Sequence, residues 1–124
     1  MITKEIELTF GTVTILNNLL IAKLNEGVLF DVESNRKLLE IGKEVFQGRD
    51  YGYISHRIHS YAVDPMVYLE SANVSNLKAI AVVSASEMTR KNAKQLEQKF
   101  YKNANSFEIF EDLEEAKSWI ESKI

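Results

Sequence analysis

Two histidines and an arginine lie close together in the middle of the chain, and they are the residues best suited to chemistry. They are His56, Arg57 and His59, and the chain has no other histidine. An imidazole nitrogen can bind a metal ion or transfer a proton near neutral pH. The β-forming residues from Tyr51 to Ile58 predict a strand. Since side chains alternate between the faces of a strand, positions 56 and 59 are expected to point in opposite directions and not to share a metal ion.

The usual sequence patterns for covalent catalysis and phosphate binding are absent. No serine lies in the glycine-flanked turn that exposes a hydrolase nucleophile, and the five glycines are too scattered for a phosphate-binding loop. With no cysteine, the chain has no thiolate nucleophile, disulfide or cysteine-rich zinc site. An enzyme would need His56 or His59 in a cleft beside a carboxylate such as Asp64. The residues therefore predict a non-enzymatic protein without a cofactor or a metal.

The segment from Arg49 to Tyr68 has the most unusual composition in the chain, with four tyrosines, two arginines and both histidines. Tyrosine and arginine dominate contact hot spots because they bury a large area and keep a polar group. The alternative is that the tyrosines are ordinary strand residues with their hydroxyls at the solvent edge. We predict a binding surface that consists of Ser55, His56, Arg57, His59, Ser60, Tyr61 and Asp64.

The N-terminal third of the chain is predicted to form mostly antiparallel strands. Residues 2–10 alternate between apolar and polar side chains, as in a half-exposed strand. Two more apolar runs, at residues 13–16 and 19–24, predict a hairpin partner and a further strand.

Two helices are predicted in the middle of the chain. The first is capped by Asp31 or Ser34, carries an apolar stripe and ends near Gly48. The second is short, with Asp64 as its N-cap and Pro65 as its first helical residue.

The C-terminal part of the chain predicts a β-α-β-α unit. Residues 79–83 form an apolar run typical of a strand buried on both faces, and residues 107–110 predict the next strand. Ser86 and Asp112 are the expected N-caps of the two helices. Two successive strand-helix pairs imply a parallel sheet covered by helices. The expected inward residues are Ala93, Leu96 and Phe100 in the first helix, and Leu113, Ala116, Trp119 and Ile120 in the second.

This order of elements resembles the SpoIIAA-like, STAS-related family of small bacterial proteins. The resemblance covers nearly the whole chain, and its sharpest parts are Lys78-Ala-Ile-Ala-Val-Val and the closing Phe110-Glu-Asp-Leu-Glu-Glu-Ala-Lys-Ser-Trp-Ile. It implies a single α/β domain over residues 1–124, in which a mixed sheet has antiparallel N-terminal and parallel C-terminal strands. It also implies a regulatory or protein-interaction module.

The resemblance also raises the question of phosphorylation. In STAS antagonists of anti-sigma factors, a regulatory phosphate sits on a serine or threonine at the start of the helix after the corresponding strand. Asp64 and Pro65 take that place here, and the nearest hydroxyls belong to Ser60 and Ser55. Ser60 is therefore the phosphorylation candidate, and Pro65 is a departure from the family pattern.

Length and charge limit the remaining classes of protein. The 124 residues suit one domain, the net charge of −3 argues against bulk nucleic-acid binding, and the apolar runs are too short to span a bilayer. The first residues do not resemble a signal peptide, so a cytoplasmic protein is expected.

Charge is unevenly distributed near the C-terminal helices. Residues 90–102 hold five basic residues against one acidic, and residues 108–122 hold six acidic against one basic. Such runs usually face solvent, and an acidic or anionic-lipid partner for the basic helix is the alternative.

The expected partner is another protein, and two alternatives stay open. One is a homodimer. The other is a small apolar ligand, because the wider fold neighbourhood resembles the CRAL-TRIO lipid-transfer domains. That carrier would need an apolar pocket, for which Met66, Leu69 and Phe46 are the candidates.

Overall fold

The computed structural model describes residues 4–59, 61–101 and 106–124. Its eight strands in these ranges are β1 (Lys4–Leu8), β2 (Gly11–Leu16), β3 (Leu19–Leu24), β4 (Leu29–Phe30), β5 (Tyr51–His56), β6 (Ala62–Val63), β7 (Leu77–Val83) and β8 (Ser106–Phe110). Its four helices in the same ranges are α1 (Val32–Phe46), α2 (Met66–Ala72), α3 (Glu87–Tyr101) and α4 (Leu113–Glu121). Ile2, where the first strand is predicted to begin, lies outside the described residues.

Six of the strands form one mixed sheet in the order β1-β2-β3-β5-β7-β8. The pairs β1/β2 and β2/β3 are antiparallel, whereas β3, β5, β7 and β8 run parallel to one another. Because successive parallel strands are neighbours and crossovers share one hand, the three connecting helices lie on the same face of the sheet. The closing helix α4 packs on the other face, against β5, β7 and β8. The predicted α/β fold with a mixed sheet is confirmed.

Strand β7 is buried on both faces, as its apolar run predicts. Its small residues, Ala79 and Ala81, face α4 together with Val83, and Ile80 lies in the core beneath α1, α2 and α3. Helix α4 approaches the sheet closely, because a Cβ atom at Gly52 of β5 would overlap the side chain of Ile120. Three small residues on the α4 side of the sheet, Gly52, Ala79 and Ala81, therefore leave room for the helix.

The predicted helix caps are mostly confirmed. Asp31, and not Ser34, is the N-cap of α1, since its Oδ1 accepts the Ser34 amide N–H at 2.9 Å. Asp112 accepts the Glu115 amide N–H at 3.1 Å and Ser86 accepts the Thr89 amide N–H at 3.2 Å. These oxygens satisfy amide groups that a helix leaves free at its N-terminus.

Helix α2 starts one residue later than predicted. Pro65 occupies the N-cap place predicted for Asp64 and the helix begins at Met66, but Pro65 already has helical φ and ψ angles of −57° and −22° and makes no side-chain cap. Asp64 still acts at this end, since its Oδ1 accepts the Met66 amide N–H at 3.0 Å.

The inward face of α3 also differs from the prediction. Ala93, Glu97 and Tyr101, which follow one another at intervals of four, are buried, whereas Leu96 is exposed. The Phe100 side chain lies outside the described part. Hydrophobicity favours Leu96 over Glu97 on the inward face. Because the Glu97 carboxylate pairs with Arg57, however, the cost of burying it is offset, and the Glu97 side of the helix faces the sheet.

Two other packing predictions need correction. In α4, Ala116 and Ile120 are buried, but Leu113 and Trp119 are only partly buried against the core. The apolar pocket predicted from three residues does not form. Phe46 is fully buried and stacks on Tyr51, while Met66 and Leu69 are exposed to solvent.

A second, two-stranded sheet was not predicted. It pairs β4 and β6 in parallel, with Leu29 opposite Ala62 and Phe30 opposite Val63. The amide N–H of Asp64 also donates to the Phe30 carbonyl at 3.0 Å. These short strands attach the chain that follows β5 to the chain that precedes α1.

Candidate functional site

A cleft of about 360 Å³ opens where the parallel strands β5 and β7 end. Its lining comes from the chain after β5, from Tyr68 of α2, from Ser86 and from the N-terminal two-thirds of α3. Open α/β sheets bind ligands beyond the carboxyl ends of their strands, so the position is typical of a binding site.

A buried ion pair between Arg57 and Glu97 lies in the lining of the cleft. Arg57 follows the last residue of β5, and its amide N–H donates to the Val83 carbonyl of β7 at 2.8 Å. Its Nη2 donates to the Glu97 Oε1 of α3 at 2.5 Å, and the two side chains are only 12 % and 7 % exposed. Burial alone lowers the pKa of Arg57, but the Glu97 charge and its hydrogen bond raise this pKa above its usual range. The guanidinium therefore stays charged and paired.

Two hydroxyls extend this pair into a network. The Arg57 Nε donates to the Ser55 Oγ at 3.0 Å, and the same oxygen lies 3.0 Å from the Tyr61 hydroxyl. The guanidinium carbon also lies 5.7 Å from the centroid of the Tyr61 ring, within the range of a cation–π contact. Ser55 is buried, so the hydrogen bonds offset the cost of removing its hydroxyl from water. The network links the end of β5 and the chain after it to α3.

Three more tyrosines surround the ion pair. Burial is the main cause that raises the pKa of Tyr53, Tyr68 and Tyr101 above the usual tyrosine range. The Glu97 charge adds to this rise at Tyr68 and Tyr101. The rings of these two residues pack edge to face with their centroids 5.9 Å apart. Their hydroxyls remain protonated at neutral pH, which suits a buried carboxylate nearby.

One wall and the rim of the cleft come from α3. Met88, Asn92 and Leu96 follow at intervals of four and therefore share one stripe of the helix. Met88 is 73 % exposed and Leu96 is 60 % exposed. The large apolar side chains of Met88 and Leu96 are therefore exposed to solvent beside the buried polar network.

Four of the predicted binding residues come together. Arg57, His59 and Tyr61 line the cleft, and Ser55 lies directly beneath it in contact with two of them. Their association follows from the alternation of β5, which places Ser55 on the face of α1, α2 and α3.

His56 lies apart from that group, on the face of the sheet that carries α4. Burial lowers its pKa, and the nearby charges of Lys23 and Lys117 lower it further. Lys117 belongs to α4, and Lys23 is a residue of β3, the strand beside β5. The two histidines therefore occupy different sites.

Asp64 does not line the cleft. Asp64 is committed to the start of α2, and Ser60 lies outside the described residues, so its predicted phosphorylation stays a prediction. Within the described ranges, no group of three or more histidine, aspartate or glutamate residues could hold a metal ion.

Sequence reasoning missed Glu97 and the α3 wall. In the sequence, Glu97 stands out only as the single acidic residue among the five basic residues of positions 90–102. The signal that could have found it is its spacing, since Glu97 lies four residues from Ala93 and four from Tyr101 on one helical stripe. A carboxylate on an apolar stripe points to a buried cationic partner.

Comparison with known proteins shows a similarity in fold to one solved structure. Neither a family model nor a curated protein matches the sequence. The chain is similar to the crystal structure of an uncharacterised protein of the DUF3478 family from Shewanella loihica PV-4, which is described as having a SpoIIAA-like fold. The TM-score is 0.55 at 13 % identity, over 87 % of this chain and 90 % of that chain. None of the helices in the described part of the chain is long and apolar enough to cross a membrane. The topology and this likeness together show that the chain has a SpoIIAA-like fold.

Proposed function

We propose that the protein is a non-enzymatic, cytoplasmic module that regulates or assembles with another protein through the cleft. The observation that carries the proposal is the exposure of Met88 and Leu96 beside the buried pair of Arg57 and Glu97. Interface hot spots combine apolar or aromatic anchors with a desolvated arginine, and this edge of the sheet offers both. The lack of cysteine is compatible with a reducing compartment.

The chemistry of the cleft favours binding over catalysis. A general acid or base needs a titratable group that is free to exchange a proton with a substrate. Arg57 and Glu97 are instead bound to each other, and Arg57 also donates to Ser55. His59, the one histidine in the lining, has no carboxylate partner among the described ion pairs. Such a pair can support the shape of a contact surface without taking part in a reaction.

The proposal is tested by changing the rim of the cleft while the network beneath it stays intact. Leu96→Lys places a charge on the apolar rim of the cleft, and Leu29→Lys is the matched control because Leu29 is 58 % exposed and does not line the cleft. Both variants should keep the wild-type thermal midpoint. We expect Leu96→Lys alone to lose the partner captured from a lysate of the native host, measured by quantitative mass spectrometry after cross-linking. Equal capture by both variants would contradict the proposal.

A small-molecule carrier is the second candidate, and the volume of the cleft favours it. About 360 Å³ lies within the roughly 300–1,000 Å³ that is typical of ligand pockets. Native mass spectrometry of gently purified protein tests this function. A stoichiometric added mass would support a carrier, and a bare protein from its native host would count against it.

A further inference from the structure

The residue types that line the cleft suggest, at first sight, a site for an anion. Arg57, His59, Ser86 and Thr89 are all side chains that commonly bind phosphate or carboxylate groups. The positive charge of Arg57 is, however, already balanced by Glu97 at 2.5 Å. An anion that approached the guanidinium would also approach the Glu97 carboxylate, which lines the same cleft.

We propose that the cleft is selective for uncharged ligands that carry a planar carboxamide on an aromatic ring. The inference rests on the second proposed function, in which the cleft holds a small molecule. It concerns the charge and shape of that molecule.

The polar part of the lining presents a donor and an acceptor side by side. A guanidinium has five N–H donors, and the described contacts of Arg57 use one for Ser55 and one for Glu97. The remaining donors of Arg57 and the acceptor oxygens of Glu97 belong to groups that both line the cleft. A carboxamide carries an acceptor and two donors on one plane, so it matches this arrangement without adding a net charge.

The apolar part of the lining suits a flat ring. Tyr61 contributes an aromatic ring to the lining, and the exposed side chains of Met88 and Leu96 form the rim. Aromatic rings stack on tyrosine, and methionine sulfur packs favourably on ring edges. A ligand with its amide toward the ion pair and its ring toward the rim satisfies both halves of the cleft.

Three probes of nearly equal shape test the inference, because benzamide is neutral, benzoate is an anion and benzamidine is a cation. Each is titrated into uniformly ¹⁵N-labelled wild-type protein, and the amide shifts of Thr89, Asn92 and Leu96 are followed. We expect benzamide to shift these amides in a saturable manner, with an affinity at least tenfold above that of both charged probes. Benzoate binding that equals benzamide binding, or no benzamide shift at its solubility limit in the folded protein, would overturn the inference.

Two variants reverse the selectivity if the ion pair controls it. Glu97→Gln leaves the Arg57 charge unbalanced, so benzoate should gain at least tenfold in affinity. Arg57→Gln leaves the Glu97 charge unbalanced, so benzamidine should gain by a similar factor. Glu108→Gln is the control, because it removes the same charge from an exposed residue of β8 that does not line the cleft. If a variant fails to fold, the wild-type comparison of the three probes still decides the matter.

The outcomes for the inference and for the carrier function are distinct. A protein that prefers benzamide but carries no added mass from its host would retain the inference and lose the carrier function. A protein that carries a charged native ligand would retain the carrier function and lose the inference.

Discussion

The guanidinium of Arg57 and the carboxylate of Glu97 lie 2.5 Å apart in the lining of the cleft, although 40 positions separate them in the chain. Arg57 follows the last residue of β5 and Glu97 belongs to α3, so a single buried contact joins the sheet to the helix that forms the cleft wall. Burying a charge is costly unless it is paired and hydrogen-bonded. The stability of this region and the shape of the cleft therefore depend on the same pair.

Breaking the buried pair should be strongly destabilising. Glu97→Leu or Arg57→Met leaves one buried charge without its partner, and we expect each to lower the free energy of unfolding by about 3–5 kcal/mol. The double variant should lose much less than the sum of the two, because it removes both charges. Urea denaturation of the four proteins measures this coupling.

The pair of Arg36 and Glu70, at 2.9 Å, provides the comparison, because its side chains are 66 % and 27 % exposed. Arg36→Met should cost only about 0–1 kcal/mol because solvent screens that contact. A similarly small loss for Glu97→Leu would show that the Arg57–Glu97 pair is not buried as described.

The packing of α4 on β5 predicts a strong effect from one methyl group. In Gly52→Ala, the new Cβ atom would overlap the Ile120 side chain, so we expect a loss of about 1–3 kcal/mol from overpacking. In an Ile120→Ala background the same change should cost little, since the overlapping atoms are gone. A double-mutant cycle measured by denaturant unfolding tests this, and additive losses would contradict the described contact.

Acid should weaken the fold through His56. Burial and the charges of Lys23 and Lys117 lower its pKa in the folded protein, whereas the unfolded chain keeps a value near 6.5. The unfolded state then binds more protons, so the free energy of unfolding falls as the pH drops below about 6.5 toward the folded pKa. His56→Gln should remove this part of the pH dependence.

The measurement for His56 is urea unfolding of the wild type and His56→Gln between pH 5 and pH 8. His59→Gln is the control, because it removes the exposed histidine on the cleft side. Parallel stability curves for the wild type and His56→Gln would rule out a lowered pKa at this residue.

Alkali should weaken the fold through the buried tyrosines. Burial raises the pKa of Tyr51 to about 12, and it raises the pKa values of Tyr53, Tyr68 and Tyr101 as well. These phenols keep their protons in the folded state but lose them near pH 10 once unfolded. The stabilising contribution is therefore complete below about pH 10 and is lost as the pH rises toward the folded values.

Tyrosine ionisation followed by absorbance, together with unfolding at each pH, tests that prediction. Tyr51→Phe should reduce the slope of stability against pH above about pH 10. A wild-type protein in which all five tyrosines ionise near pH 10 while it remains folded would contradict the described burial.

Much of the fold could be predicted because the signals are local. The alternation of β1 and the apolar run of β7 depend only on neighbouring residues, and so do the caps Asp31, Ser86 and Asp112. The paired strands β4 and β6 were missed because two residues carry no periodic pattern.

The candidate site was only partly predictable. The segment around Arg57 and Tyr61 was found from its composition, and β5 alternation separates His56 from that group. A ranking of α3 residues by hydrophobicity predicts that Leu96 is buried and Glu97 exposed, and the structure shows the reverse. That ranking fails when a distant cation can pair with a carboxylate, since the pairing offsets the cost of burial.

The sequence by itself determined the order of the helices and of the six strands in the main sheet, the caps of α1, α3 and α4, and the resemblance to a SpoIIAA-like fold. Each of these depends on residues within a few positions of one another. Only the tertiary structure decided which side of α3 faces the sheet and that Arg57 meets Glu97. It also decided that a cleft opens beside them. These features depend on contacts between residues far apart in the chain, and such contacts exist only after β5, β7 and α3 have packed together.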